Sequence, residues 1–197
     1  MSISIAHPTA NGTNIRSLVR ALVPLLAGAG AYLIFLSMGE ILLRDSDTLW
    51  QIRIGRWIVE NGAMPYTDVH SFTRLGEPWM SSSWLSQVLY AVSYQSLDWA
   101  GPVILTSLAI GATVAIFMYL LDEYVDPARA IFLVTLAVLI SATHFLARPH
   151  MLAFPIMVAS LGGLMAAADR RSGESKRWDR SAVSRRTTSE PDRRRPG

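Results

Sequence analysis

Few side chains in this 197-residue sequence are equipped for chemistry. Asp45 and Asp47 stand two apart just after the first long apolar run, where a carboxylate can take a proton or cap a helix. Arg148 and His150 flank a proline between the last two apolar runs. An arginine matches a phosphate geometrically and a histidine can donate to one, but both residues could also simply snorkel to a membrane surface. The four histidines, at positions 7, 70, 144 and 150, have no metal-ligand spacing. With no cysteine in the chain, a thiolate metal site and a disulfide framework are both excluded.

These residues lie in an apolar chain. It is 51% hydrophobic and 17% charged, with a mean hydropathy of +0.29, which indicates a membrane protein rather than an ordinary soluble domain. The expected fold class is all-α integral membrane, with about four transmembrane helices near residues 18–43, 102–121, 128–146 and 151–168. Each is about the length that a span needs, roughly 20 residues. Asp126-Pro127 should cap and open the third, and the short Arg148-Pro149-His150 link makes the third and fourth antiparallel neighbours. Pro155 should weaken the start of the fourth. In the first, Ala27-Gly28-Ala29-Gly30-Ala31 would let another helix approach closely, although small residues are common in such helices and that plainer reading is preferred. Glu40 should pair with Arg44 at the interface.

Residues 44–100 form the one long segment before residue 169 too polar for a bilayer, and its part from Arg44 to Trp84 holds four of the six tryptophans. Ser46 or Asp47 should cap a helix running to about Glu60, with Trp50, Ile54, Trp57 and Ile58 on one face and Arg53, Arg56 and Glu60 on another. Such a helix would lie along the membrane, and Asn61-Gly62 should end it. A hairpin or irregular loop follows, tipped by Gly76-Glu77-Pro78, and one of Ser81 to Ser83 should cap a second amphipathic helix from Trp84 to about Trp99.

Residues 1–15 and 169–197 read as disordered ends. The tail from Asp169 onward carries ten Lys and Arg against five Asp and Glu, while the rest carries eight against ten. Weighted by that tail, the positive-inside rule puts both ends in the cytoplasm and 44–100 outside, in what would be a bacterial inner membrane. The tail's basic charge lacks the interleaved aromatics of a nucleic-acid interface, and no nucleic-acid partner is expected.

The stretch RDSDTLWQIRIGRWIVENGAMPYTDVHSFTRLGEPWMSSSWL, from Arg44 to Leu85, resembles the first external loop of GT-C-type membrane glycosyltransferases, relatives of the protein O-mannosyltransferases. The matching features are Asp45 and Asp47 after the first span, the interfacial helix, the Gly62-x-x-Pro65-x-x-Asp68 pattern, and Trp79 with Trp84-Leu85. The resemblance implies transfer of a sugar from a polyprenyl-phosphate donor, with Asp47, or failing it Asp45, as general base. It implies Arg148 and His150 as phosphate-binding groups, and His70, Arg74 and Glu77 as contacts to sugar or acceptor. No metal ligands are assigned, although a divalent metal could take part as cofactor. Each residue has a plainer role open to it: a helix cap and dipole partner for the two aspartates, a solvated loop position for His70, Arg74 and Glu77.

Members of that class carry about twice as many spans or more. The Arg- and Ser-rich ending therefore suggests a truncated or frameshifted N-terminal part, which could be inactive alone. The alternative is a non-enzymatic multi-span protein whose Trp- and Arg-rich loop binds a partner. A transporter subunit ranks below both, because the spans carry almost no charge at mid-membrane.

Overall fold

The computed structural model describes residues 11–188, and within that range every regular element is helical. The elements are α1 (Asn11–Ser37), α2 (Gly39–Leu42), α3 (Asp47–Asn61), α4 (Trp84–Leu97), α5 (Ala100–Leu121), α6 (Pro127–Ser141), a 3-10 turn (Ala142–His144) and α7 (Pro149–Thr188). Three stretches, Ala100–Leu121, Pro127–His144 and Pro149–Arg171, are long and apolar enough to cross a membrane. The chain divides into two compact units, Met1–Val158 and Ala159–Gly197.

In the first unit α5 is the central element: α1, α2, α4 and α6 all pack on it. The most apolar window of α5 is 44% buried, against 11% for that of the stretch containing α6, which leaves the latter's apolar faces free for lipid. The approach of α1 to α5 is close because it runs through glycine. A Cβ on Gly28 would lie 2.7 Å from the Gly111 carbonyl oxygen, and one on Gly111 would lie 2.8 Å from that of Gly28. Within the small-residue patch Gly28 is therefore a packing contact, where the plainer reading is corrected, while a Cβ on Gly30 would meet nothing within 4 Å. Backbones this near gain van der Waals contact that larger side chains would prevent.

The first apolar run does not stay one helix. α1 ends at Ser37, whose hydroxyl donates back to the Ile34 carbonyl at 2.7 Å, and α2 restarts at Gly39 against Val103. Glu40 and Arg44 form no ion pair among the described residues. Asp126 caps α6 as expected, accepting from the Arg129 N–H at 3.2 Å with Pro127 in the first turn. The end of α6 differs from expectation. The helix gives way at Ser141 and residues 145–148 leave it, because their backbone is recruited elsewhere: the Ala147 N–H donates to the Leu42 carbonyl at 2.8 Å. Pro149 also disfavours helical geometry at Arg148. The link to α7 is thus longer than a three-residue turn and is built into the core, with Ala147 fully buried and Phe145 edge-on to Phe35 at 5.1 Å.

α3 packs along α4, with Gly55 at the crossing, where a Cβ would meet the Gln87 carbonyl oxygen at 1.9 Å. Ile54 and Ile58, placed by the sequence on a membrane-facing stripe, are buried, while Trp50 and Trp57 are half-buried. Gly62 ends α3 in the left-handed region at φ 59°, as Asn61-Gly62 suggests. Ser83 precedes α4 without a side-chain cap, and Ser81 instead donates to the buried Gln87 Oε1 at 2.6 Å. Between the helices, Tyr66–Asp68 and Glu77–Trp79 pair as a short hairpin through Asp68 N–H to Glu77 O and Trp79 N–H to Tyr66 O. Gly76-Glu77-Pro78 is therefore in the return arm, not the tip.

In the second unit the helix continues from Ala159 through Asp169 to Thr188, where the sequence suggests disorder. Ala166 to Ala168 and the Arg, Lys and Glu that follow are good helix formers, and no proline interrupts them before Pro191. At the other end, α1 begins at Asn11, inside the stretch expected to be disordered. Residues 1–10 and 189–197, the outer parts of both expected disordered ends, lie outside the described residues.

Candidate functional site

The link from Phe145 to Arg148 is held at three points, and all three bear on one side chain. Its Ala147 N–H binds Leu42 O, its Ala147 carbonyl accepts from the buried Thr48 hydroxyl at 3.1 Å, and its Arg148 carbonyl accepts from the Tyr90 hydroxyl at 3.1 Å. Since Tyr90 has spent its proton on Arg148, the Thr106 hydroxyl 3.1 Å away must donate to Tyr90. Burial pushes the Tyr90 hydroxyl pKa up to about 12, so it stays protonated and remains a donor.

With its backbone clamped, Arg148 reaches both aspartates at the start of α3. Its Nε donates to the Asp45 carboxylate, and its Nη2 lies 3.1 Å from Asp47 Oδ2. Asp45 also accepts the Asp47 backbone N–H at 3.1 Å, so it is Asp45, not Ser46 or Asp47, whose side chain satisfies a free donor at the helix start. The Arg148 guanidinium holds the Asp45 carboxyl below the usual carboxylate range, prevailing over the opposite push of burial. In return Asp45 raises Arg148.

The two carboxylates are therefore unequal. Asp45 is 12% exposed and engaged through both oxygens, which makes it a poor proton acceptor and a good anchor. Asp47 is 55% exposed and held by a single contact, so it keeps room for another hydrogen bond. Chemically, the cluster offers a free carboxylate oxygen beside a guanidinium.

The remaining candidates are not bonded into it. His150 begins α7 exposed, edge-on to Phe154 at 5.6 Å. Arg74 pairs with Glu77 at 3.3 Å on the exposed hairpin. His70 follows Asp68, whose Oδ1 accepts the N–H groups of His70 and Ser71 at 2.9 and 2.8 Å and whose carboxyl is thereby lowered. Its ring stands edge-on to Trp50 at 5.9 Å. Among the described residues no group of three or more His, Asp and Glu stands close enough to hold a metal ion, and Arg148 already supplies the cation between Asp45 and Asp47.

Sequence reasoning overlooks Thr48, Tyr90 and Thr106, which position the cluster. Tyr90 and Thr106 leave only the trace of polar atoms within apolar helices, and Thr48, in the first turn of the polar α3, leaves none. Comparison with family models, curated proteins and solved structures found no match.

Proposed function

We propose that the chain is an integral membrane protein with four spans, the apolar run from residue 18 being the first. The positive-inside count supports an outward-facing loop of residues 44–100 and cytoplasmic ends. We infer further that it is the N-terminal part of a GT-C-type glycosyltransferase that uses a polyprenyl-phosphate sugar. One observation carries this reading: Arg148, the expected phosphate ligand, and Asp47, the expected base, meet at 3.1 Å although about half of the chain separates them.

In the proposed reaction Asp47 Oδ2 leaves Arg148 and accepts the proton of an acceptor hydroxyl. The acceptor oxygen then bonds to the sugar's anomeric carbon as the bond from that carbon to the phosphate oxygen breaks. The departing polyprenyl phosphate keeps the electron pair, and its charge is met by the guanidinium that Asp47 released. Asp45 stays bound to Arg148 Nε and acts as a positioning residue.

The test uses the chain reconstituted in nanodiscs with a radiolabelled polyprenyl-phosphate sugar. Retention of the lipid that is lost in Arg148→Gln, and label transfer to a hydroxyl acceptor that is lost in Asp47→Asn with unchanged helicity, are the expected results. Equal retention by wild type and Arg148→Gln would sink the reading. A second reading, a non-enzymatic loop that docks a partner, draws on the hairpin region, where Tyr66, Phe72, Leu75 and Met80 all lie exposed.

A further inference from the structure

A groove of about 550 Å³ opens beside α3, lined by Leu49, Ile52, Arg53, Arg56, Trp57, Glu60, the hairpin's His70 and Tyr94 of α4. Its size falls within the roughly 300–1,000 Å³ of small-molecule sites. It shares no residue with the Asp45, Asp47 and Arg148 cluster. Arg53 and Arg56 follow each other at i, i+3 on one helix face, and neither makes an ion pair among the described residues. Arg53 and Arg56 thus bring two guanidinium groups to the lining beside the Glu60 carboxylate, while Asp68 acts on His70 and Asp98 is hydrogen-bonded to Tyr94.

Two further features point to a ligand rather than to a solvated surface. His70 Nε2 is buried and has no hydrogen-bond partner, a cost that a bound acceptor would remove. The His70 imidazole is also held below its usual pKa, first by burial and then by the Arg53 charge, so the groove already disfavours one more cation. Trp57 and Tyr94 line the same space with aromatic surface, and Arg56 stands 5.9 Å over the Tyr94 ring, which orients the guanidinium without consuming its donors.

We propose that this groove binds a phosphate-bearing ligand, with Arg53 and Arg56 taking the phosphate oxygens, His70 Nε2–H a third acceptor, and the rings of Trp57 and Tyr94 the adjoining apolar part. The phosphate could come from an anionic lipid headgroup or from free solution. The guanidinium fork suits either, because it recognises the oxyanion itself.

The experiment is native mass spectrometry of the full chain in neutral detergent. It is titrated with dihexanoyl phosphatidic acid, with dihexanoyl phosphatidylcholine as control, and with inorganic phosphate as competitor. A saturable phosphatidic acid adduct is expected, weakened at least about tenfold in Arg53→Gln/Arg56→Gln and little changed in Arg129→Gln, whose side chain pairs with Asp126 away from the groove. Circular dichroism checks the fold. Should the double variant unfold, Arg56→Lys and His70→Phe, each altering one donor, are expected to weaken the adduct singly. Displacement by inorganic phosphate assigns the site to a free anion, and resistance to it assigns the site to a lipid. The proposal is overturned by no adduct, by an adduct indifferent to Arg53, Arg56 and His70, or by one abolished in Arg148→Gln alone. Failure here leaves the glycosyltransferase reading standing, since that reading rests on other residues and another probe.

Discussion

Arg148 donates its Nε–H to the carboxylate of Asp45 across 103 residues of sequence, and this bond ties the link before α7 to the start of α3. Both ends are reinforced by backbone bonds, so the pair closes a frame that Ala147, Thr48 and Tyr90 hold in place.

That bond sets an acid limit on stability. In the fold the Asp45 carboxyl is held below its ordinary value of 3.8, so the unfolded chain binds its proton first as pH falls. The stabilisation is complete above 3.8 and disappears as pH drops through the lower folded value. Asp68, lowered by the backbone N–H groups of His70 and then Ser71, acts with the same sign. Melting temperatures in detergent should therefore fall for wild type as the pH is taken from about 6 to about 3. The fall should be smaller for Asp45→Asn and smaller again for Asp45→Asn/Asp68→Asn. A wild-type curve as flat as the double variant's would remove the basis for the pair.

Tyr90 is fully buried and its hydroxyl serves both Arg148 O and Thr106 Oγ1. Tyr90→Phe strands the half-buried Arg148 carbonyl and the buried Thr106 hydroxyl, at a cost of about 1–3 kcal/mol. Thr106→Val removes the far partner and should cost about the same or less. Because the two share one network, the double variant should lose less than the two single losses combined. A thermal-melt double-mutant cycle measures this, and strict additivity would mean that the chain of bonds is not a unit.

Local signals in the sequence were legible and long-range ones were not. Asp126-Pro127 and Asn61-Gly62 mark helix ends by chemistry confined to a turn, and the helix ends there. The end of α6 was hidden because residues up to Leu146 remain apolar, while what unwinds them is a bond to Leu42, distant in sequence. The Asp45 and Asp47 spacing and Arg148 were visible singly, yet nothing in the sequence says that one guanidinium reaches both. Glu40 and Arg44, one turn apart and of opposite charge, suggested a pair that does not form, because the helix carrying Glu40 ends at Leu42 and Arg44 lies beyond it.

The α1 seam separates two glycines that look alike in sequence. Gly28→Ala would set a Cβ 2.7 Å from both Ala115 Cβ and the Gly111 carbonyl, so the helices must part, at a cost of about 1–3 kcal/mol. Gly30→Ala meets nothing within 4 Å and should be neutral or gain about 0.5 kcal/mol from lower backbone entropy in the unfolded state. Unfolding in mixed micelles ranks the two variants. Equal losses would mean that the helices do not meet at Gly28.

The crossing of α3 on α4 offers a sharper contrast, since it bears on the start of α3 where Asp47 stands. Gly55→Ala places a Cβ 1.9 Å from the Gln87 carbonyl oxygen and 2.3 Å from its carbon, both backbone atoms that no rotamer change can move. The cost should reach or exceed about 3 kcal/mol, and the shift of α3 should loosen the Asp47 to Arg148 contact. Gly62→Ala meets no atom within 4 Å but must hold φ at 59°, a strain of roughly 1 kcal/mol confined to the end of the helix. Chemical denaturation should therefore order the variants as wild type, Gly62→Ala, Gly55→Ala, and lipid retention should fall only in the last. Retention lost in Gly62→Ala but kept in a folded Gly55→Ala would show that the crossing does not position the cluster.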